Sequence, residues 1–196
     1  MTPKILLIGA NGQIGTELAA ALAERHGAGA VVTSDVAPQG RVPGLAHEVL
    51  DCTDIGALTH VVERHGVTQL YHLAAALSAR GEKHPMWAWD LNMKGLLNVL
   101  EIARSHKLQR VFWPSSIAAF GPGTPRAGTP QDTIQRPNTM YGVTKVAGEL
   151  LAELAGLLAL VGEGLLELAD AGLQRLAAAL RLGEGPLHLV DPREEL

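Results

Sequence analysis

The sequence predicts an α/β fold: a doubly wound parallel sheet of about six strands with helices on both faces. Three observations predict it. The run Ile5-Leu-Leu-Ile8 carries no polar alternation, which is how a strand buried on both faces reads. Three glycines at three-residue spacing, Gly9, Gly12 and Gly15, follow it and open an Ala/Leu-rich helical pattern. Strand and helix patterns then alternate as far as Trp113, as a chain of βαβ units requires.

Bulk properties narrow the class. A chain of 196 residues makes one domain, or one domain with a small appendage. A net charge of −4 argues against a nucleic-acid surface. The single cysteine, Cys52, excludes an intrachain disulfide and fits a reducing, cytoplasmic setting. The apolar run Ile5–Ile8 is too short for a signal peptide. Leu150 to Val161 is the most apolar later stretch, and it contains Glu153. It reads as a buried helix or an interface, not a membrane span. No metal site is expected.

Taken in order, Ile14, Leu18, Ala21, Leu22 and Arg25 suggest a first helix with one apolar face, ending near His26-Gly27. Ala30 to Thr33 reads as a second strand, stopping at Ser34-Asp35. His47 to Leu50 reads as a short third strand, and Thr53 or Asp54 caps a helix over Ile55–His65. Gln69 to Leu73 is a fourth strand running into Ala74-Ala75-Ala76. From Pro85 one long helical pattern runs through Leu91, Leu96, Leu97, Val99, Leu100 and Ile102. Arg110 to Trp113 is a fifth strand, and Gly121 to Pro137 a long loop of the kind that is functional or disordered.

Strand, glycine turn and helix start together form a pyrophosphate site. Glycine permits the turn and the close backbone approach, and the helix presents free N–H groups and its positive dipole end. Asp35 lies 20 residues after Gly15. An acid at the end of the second strand either hydrogen-bonds an adenosine ribose, favouring NAD over NADP, or caps a turn. Asp51 is likewise a ligand contact at a strand end or a second capping residue. The small residues Ala74–Ala76 permit close approach to a cofactor or simply open a helix. Asn92, in the middle of an apolar helix, is either core glue or a cofactor-side contact, since a buried Asn must find partners.

Tyr141 and Lys145 are four residues apart and share a helix face. A phenol, with a pKa of about 10, is a poor base at neutral pH. A nearby ammonium and a cationic nicotinamide ring favour the phenolate, which can then take a proton from a substrate alcohol. A serine hydroxyl at the sheet edge, from Pro114-Ser115-Ser116, would hold the same oxygen.

With these motifs in place, residues 1 to about 151 resemble the extended short-chain dehydrogenase/reductase superfamily. The resemblance is carried by Gly9-Ala-Asn-Gly12-Gln-Ile-Gly15, Asp35, Asp51, His72-Leu-Ala-Ala75, Asn92, Pro114-Ser-Ser-Ile-Ala-Ala-Phe-Gly121 and Tyr141-Gly-Val-Thr-Lys145. Within it the chain is most similar to NAD-dependent L-threonine 3-dehydrogenases of the short-chain type. The pointers are the first glycine motif, Leu77-Ser78-Ala79-Arg80-Gly81-Glu82, Trp89-Asp-Leu-Asn-Met-Lys-Gly95 and the serine motif. UDP-sugar 4-epimerases are the nearest rivals, but they usually carry Tyr-Gly where this chain has Phe120-Gly121.

The resemblance implies a Rossmann domain and a role for each matching position. Gly9, Gly12, Gln13, Ile14 and Gly15 would hold the pyrophosphate of NAD. Asp35 would bind the adenosine ribose, and Asp51 and Cys52 the adenine. Leu73, Ala74 and Ala75 would line the cofactor, with Asn92 behind them and Ser115 beside it. Ser116 would orient the substrate, Tyr141 act as base, and Lys145 bind the nicotinamide ribose. Ser78 and Gly81 would touch a small substrate, L-threonine or similar, giving 2-amino-3-oxobutanoate. A homodimer through the helix after Asn92 and the Tyr-bearing helix is also implied.

The resemblance stops near Leu151. Residues 151–196 contain no Phe, Tyr, Trp, Ser, Thr, Asn, Ile, Lys, Met or Cys. Helical segments over about 142–161 and 165–182 and a sixth strand at Leu187–Val190 are expected, in a Leu/Ala-rich tail packed on the same domain. The usual substrate domain is expected to be absent. The tail reads as an engineered replacement, a shortened or frame-shifted natural tail, or an oligomerisation element. The functional expectation is therefore an NAD-dependent dehydrogenase of the L-threonine type. The alternatives are an NAD-binding module without turnover and a UDP-sugar epimerase-like enzyme.

Overall fold

Four apolar residues with no polar break can be stable only where both faces are covered, and Ile5–Ile8 form the central strand β1, every residue buried. The computed structural model describes residues 2–161, without the side chains of Ser78 and residues 157–161. Met1–Glu153 form one compact unit; of the second, Leu154–Leu196, only residues up to Val161 are described. The elements after β1 are helix α1 (Gln13–His26), strands β2 (Val31–Asp35) and β3 (Ala46–Val49), helix α2 (Ile55–His65) and strand β4 (Gln69–His72). They are followed by the short helices α3 (Ser78–Gly81) and α4 (Pro85–Trp89), helix α5 (Gly95–Ser105), strand β5 (Arg110–Phe112) and helix α6 (Met140–Val161).

Among the described residues the five strands form one parallel sheet in the order β3-β2-β1-β4-β5. Ile8 pairs with Ser34 on one side and His72 on the other, so β1, β2 and β4 end in register. Successive strands are added on one side of β1 up to β3 and on the other side from β4, and this reversal of strand order makes the C-terminal edge between β1 and β4 the ligand crevice of such a sheet. Alternate residues of β1 feed two cores. Leu6 and Ile8 pack with Leu58, Val61 and Val62 of α2 and with Val99 and Ile102 of α5. Ile5 and Leu7 pack with Ala19 and Leu22 of α1.

Several boundaries differ from expectation. The buried face of α1 is Gly15, Ala19 and Leu22; Ala21 is exposed, and Ile14 is 63% exposed beside the glycine turn. Asp54 alone caps α2, its carboxylate accepting from the Ala57 N–H at 3.0 Å. The second strand starts at Val31 because Ala28–Ala30 form a 3₁₀ turn, and β5 stops at Phe112, before Trp113. The helix from Pro85 to Ser105 is interrupted by a π-type turn at Asp90–Lys94, the extra-wide turn that carries Asn92. Helix α6 begins at Met140, close to the expected start. The expected helix over 165–182 and strand at Leu187–Val190 lie outside the described residues.

His72 ends β4 with no exposure, and neither of its ring nitrogens has a hydrogen-bond partner among the described residues. Burial, helped by the nearby charge of Lys145, lowers its pKa to about 4. The folded chain thus holds His72 neutral, whereas the unfolded chain protonates it near 6.5. Stability should therefore fall as pH drops from 6.5 toward 4, by on the order of 3 kcal/mol from this group. Urea unfolding across this range should show a steeper acid loss in the wild type than in His72→Leu, which cannot titrate.

Candidate active site

The glycine turn shows why each glycine is needed. Gly9 has φ +78° and donates to the Ser34 carbonyl at 2.9 Å. A Cβ there would lie 2.6 Å from the Ala74 nitrogen, so the turn presses directly on the chain leaving β4. A Cβ at Gly15 would lie 2.7 Å from the Ala10 Cα and collide with the Gly9 carbonyl. Helix α1 can therefore start tight against the turn only with glycine at this position. Gly12 precedes α1 in an extended conformation, with no side-chain cap and no acidic residue in the first turn. The N–H groups of Gln13, Ile14 and Gly15 have no acceptor four residues back in the helix. An anion at this point would meet open donors and a positive dipole end.

Asp35 sits at the end of β2 beside this turn. Its Oδ2 accepts from the Asn11 N–H and its Oδ1 from the Ala37 N–H, each at 3.2 Å. Asp35 thus shapes a turn, and its carboxylate keeps acceptor capacity for a further donor. Asn11 secures the neighbouring loop, donating to Gln39 O at 2.8 Å and accepting from Arg41 N at 3.0 Å. Asp51 forms a local turn, accepting from both the N–H and hydroxyl of Thr53 at 2.8 Å. The Cys52 thiol is buried in the core, and burial raises its pKa to about 11. Its carbonyl accepts from Asn98 at 2.9 Å.

Across the crevice, the exit of β4 is tied to the Tyr-bearing helix through one buried residue. Asn92 is 4% exposed. Its Oδ1 accepts from Ala76 N at 2.7 Å, and its Nδ2 donates to Ala76 O at 3.3 Å and to the Thr144 hydroxyl at 3.0 Å. The Thr144 hydroxyl donates to the Tyr141 carbonyl at 2.8 Å. Asn92 is therefore core glue that joins Leu73–Ala76 to α6.

Tyr141 and Lys145 lie on one face of α6, as their spacing requires. Lys145 is 3% exposed, and its ammonium donates to Pro114 O at 2.7 Å. The ammonium stands 4.0 Å from the ring centroid of Trp113 and 5.4 Å from that of Tyr141. Burial lowers the Lys145 pKa to about 8, with Glu149 pulling it the other way. Ser116 caps a 3₁₀ turn, its Oγ accepting from Ala118 N at 3.2 Å, which leaves its hydroxyl proton to donate elsewhere. That turn packs on α6, where a Cβ at Gly142 would collide with the Ala118 carbonyl. Ser115 points away to a different task, donating to Glu149, which also accepts from Gln135 at 2.7 Å and so anchors the long loop. Gly81 is buried, a would-be Cβ being 3.3 Å from Ala88 Cβ, and the Ser78 side chain lies outside the described residues.

Sequence reasoning missed several residues of this site. Thr144 looks like an ordinary helix residue, and its role emerges only with Asn92 across from it. Trp113, under Lys145, reads from sequence only as a strand end; the structure also packs its ring where a Cβ at Gly148 would stand. Glu82 accepts from the N–H groups of Met140 and Tyr141 at 2.7 and 3.4 Å, a contact spanning more than fifty residues of chain. Among the described residues no group of three or more His, Cys, Asp and Glu could hold a metal ion.

Comparison with known proteins bears on this geometry. Residues 5–156 match the family described as NAD dependent epimerase/dehydratase. An uncharacterized epimerase/dehydratase of Staphylococcus saprophyticus is 50% identical over 153 residues, 76% of this chain and 48% of that protein. The structure of a GalE-like L-threonine dehydrogenase from Cupriavidus necator, in its holo form, is 64% identical with a TM-score of 0.77 over 78% of this chain and 50% of that one. An L-threonine dehydrogenase from Clostridium difficile is 46% identical with a TM-score of 0.74, over 79% and 49%. A Thermus thermophilus UDP-glucose 4-epimerase in complex with NAD, 24% identical with a TM-score of 0.68 over 78% and 50%, shares the fold. The chain thus spans about half the length of the relatives it matches.

Two outcomes follow from the site. Gly9→Ala forces a Cβ into a left-handed backbone against Ala74, and urea unfolding should register a loss of about 1–3 kcal/mol. Lys145 titrates near 8 folded and 10.5 unfolded, so between these values the unfolded chain binds more protons. The wild type should therefore gain stability relative to Lys145→Met as pH rises from 8 to 10.5, in unfolding measured at each pH.

Proposed function

The chain belongs to the NAD-dependent epimerase/dehydratase family, and on that premise we propose an NAD-dependent dehydrogenase that oxidises the 3-hydroxyl of L-threonine to 2-amino-3-oxobutanoate. The observation that carries the proposal is that two features meet the end of β4, Gly9 pressing on Ala74 and Lys145 lying close enough to His72 to act on its charge. One is the uncapped start of α1 behind Gly9, Gly12 and Gly15; the other is the pair Tyr141 and buried Lys145. The similarity to L-threonine dehydrogenases at 64% and 46% identity supports the substrate.

The residues present fit the cofactor. Open N–H groups at Gln13 and Ile14 suit a pyrophosphate, and the glycine cradle admits it where any Cβ would intrude. Asp35 would accept from the ribose hydroxyls and repel a 2′-phosphate. Asp51, and Cys52 through its backbone, would meet the adenine, and Leu73, Ala74 and Ala75 would line the wall opposite. NAD, when bound, supplies the hydride acceptor.

The chain's own residues handle the proton. Tyr141 would take the proton of the substrate hydroxyl, with the Lys145 ammonium 5.4 Å from its ring. Ser116 would donate its free hydroxyl proton to the substrate oxygen. Lys145 would bind the nicotinamide ribose, whereas the Ser115 hydroxyl is engaged by Glu149. Ser78 and Gly81 of α3 would contact the amino acid. A homodimer through α5 and α6 fits the exposed Leu97, Val143 and Leu150 on these helices. A cytoplasmic setting fits the single thiol Cys52, held protonated by burial.

Incubation with NAD and L-threonine should yield NADH, read by absorbance, and Tyr141→Phe should lower the rate at least a hundredfold, the range of a lost general base. NAD binding without NADH formation would instead favour a binding module without turnover, and binding of a UDP-sugar in place of threonine would favour an epimerase-like enzyme. In calorimetry NAD should bind more tightly than NADP, and Asp35→Ser should narrow that preference about tenfold or more, as expected for loss of one charge-assisted contact. Tighter NADP binding by the wild type would overturn the role of Asp35.

A further inference from the structure

The main chain of Tyr141 is held at both ends, and both holds reach the same distant segment. On its N–H side, Oε1 of Glu82 accepts from Met140 N at 2.7 Å and Tyr141 N at 3.4 Å. These are orphan donors of the first turn of α6, and a carboxylate is the group that helix start favours. On its C=O side, the Thr144 hydroxyl donates to the Tyr141 carbonyl at 2.8 Å and accepts from Asn92 Nδ2 at 3.0 Å. Thr144 is fully buried, so its hydroxyl cannot exchange these partners for water.

Glu82 follows α3 directly and Asn92 lies in the π-type turn ten residues on, so both contacts originate in residues 82–92. The helical start of this segment is itself packed down. Arg80 lies over the Trp87 ring at 4.5 Å, and a Cβ at Gly81 would sit 3.3 Å from Ala88 Cβ. Asn92 also carries the cofactor-side strand exit on Ala76. The helix start also has a local cap, Thr139 Oγ1 accepting from the Gly142 N–H at 3.0 Å. Contacts from another element add something a local cap does not: they set where the Tyr141 turn stands relative to the α3 segment and to the exit of β4.

We propose that Glu82 and Thr144 are positioning residues that clamp Tyr141 in register with the α3 segment and with the cofactor-side wall. The inference rests on Tyr141 being the base, and it adds two residues to that reading. Neither touches the reacting atoms; each acts through the Tyr141 backbone. Misplacement of a reacting group by an ångström costs up to about a hundredfold in rate, and the pyrophosphate and adenosine contacts proposed on α1 and β2 do not depend on it.

The test uses the whole chain with Glu82→Ala, Glu82→Gln, Thr144→Val and Thr144→Ser. In steady-state kinetics with L-threonine, Glu82→Ala and Thr144→Val should each lower kcat about 10- to 100-fold, with a much smaller change in the NAD dissociation constant. Glu82→Gln and Thr144→Ser, which keep an acceptor and a hydroxyl, should recover most of the loss. Amide exchange by NMR supplies a readout that needs no turnover: the Met140 and Tyr141 N–H groups should exchange faster in Glu82→Ala and near normally in Glu82→Gln. Unchanged kcat in both truncated variants, or a loss confined to NAD affinity, overturns the clamp. Unchanged exchange in Glu82→Ala overturns it also. A wild type that shows no turnover overturns the dehydrogenase reading instead, and the exchange experiment then decides the clamp by itself.

Discussion

The site depends on the buried amide of Asn92. An unpaired amide in a protein interior costs far more than a paired one contributes, so a 4%-exposed Asn must find partners on every side it faces. Asn92 finds them on two elements: Ala76, just past β4, and Thr144, inside α6. A hydrophobic residue there could pack equally well but would leave the two elements free to slide. The amide imposes a discrete geometry, and it places the wall that faces the glycine turn in a defined relation to the helix that bears Tyr141. The π-type turn at Asp90–Lys94 is the backbone irregularity that carries this side chain.

Two opposite uses of helix ends divide the labour in the crevice. Helix α2 is closed by its own Asp54 and α6 is closed by Glu82, so neither start has much capacity left for an anion. Helix α1 alone of these three begins at a glycine, with no side-chain cap and no acid in its first turn. This asymmetry points anion binding at the Gly9–Gly15 turn and nowhere else among those three. On the facing side, burial destabilises the Lys145 ammonium, and the Pro114 carbonyl and the Trp113 face partly compensate. A cation so placed is strongly felt by its neighbours because little water screens it.

Much of the fold could be read from local pattern. Ile5–Ile8 could be nothing but a doubly covered strand, and the glycine spacing and the Tyr141–Lys145 pair are local signals that survived intact. What escaped depends on tertiary partners. Ile14 and Ala21 look apolar enough to face the core, yet α1 turns Gly15, Ala19 and Leu22 inward, because contact with the turn, not hydrophobicity, sets the rotation at Gly15. The π-type turn leaves no mark in a 3.6-residue pattern. Asp51 and Asp54 are the same residue type three positions apart, and only the hydrogen bonds show that one shapes a turn while the other caps a helix. Glu82 and Thr144 stand inside sequence motifs, but their contacts were illegible for the same reason: their partners lie in another element.

The most direct measurement is an experimental structure of the chain with NAD. The account predicts the pyrophosphate on the N–H groups of Gln13 and Ile14, the ribose on Asp35, and the nicotinamide between Ala74–Ala76 and Tyr141, with Asn92 still bridging Ala76 and Thr144. A dinucleotide bound away from the start of α1, or a nicotinamide out of reach of Tyr141 and Ser116, would contradict it.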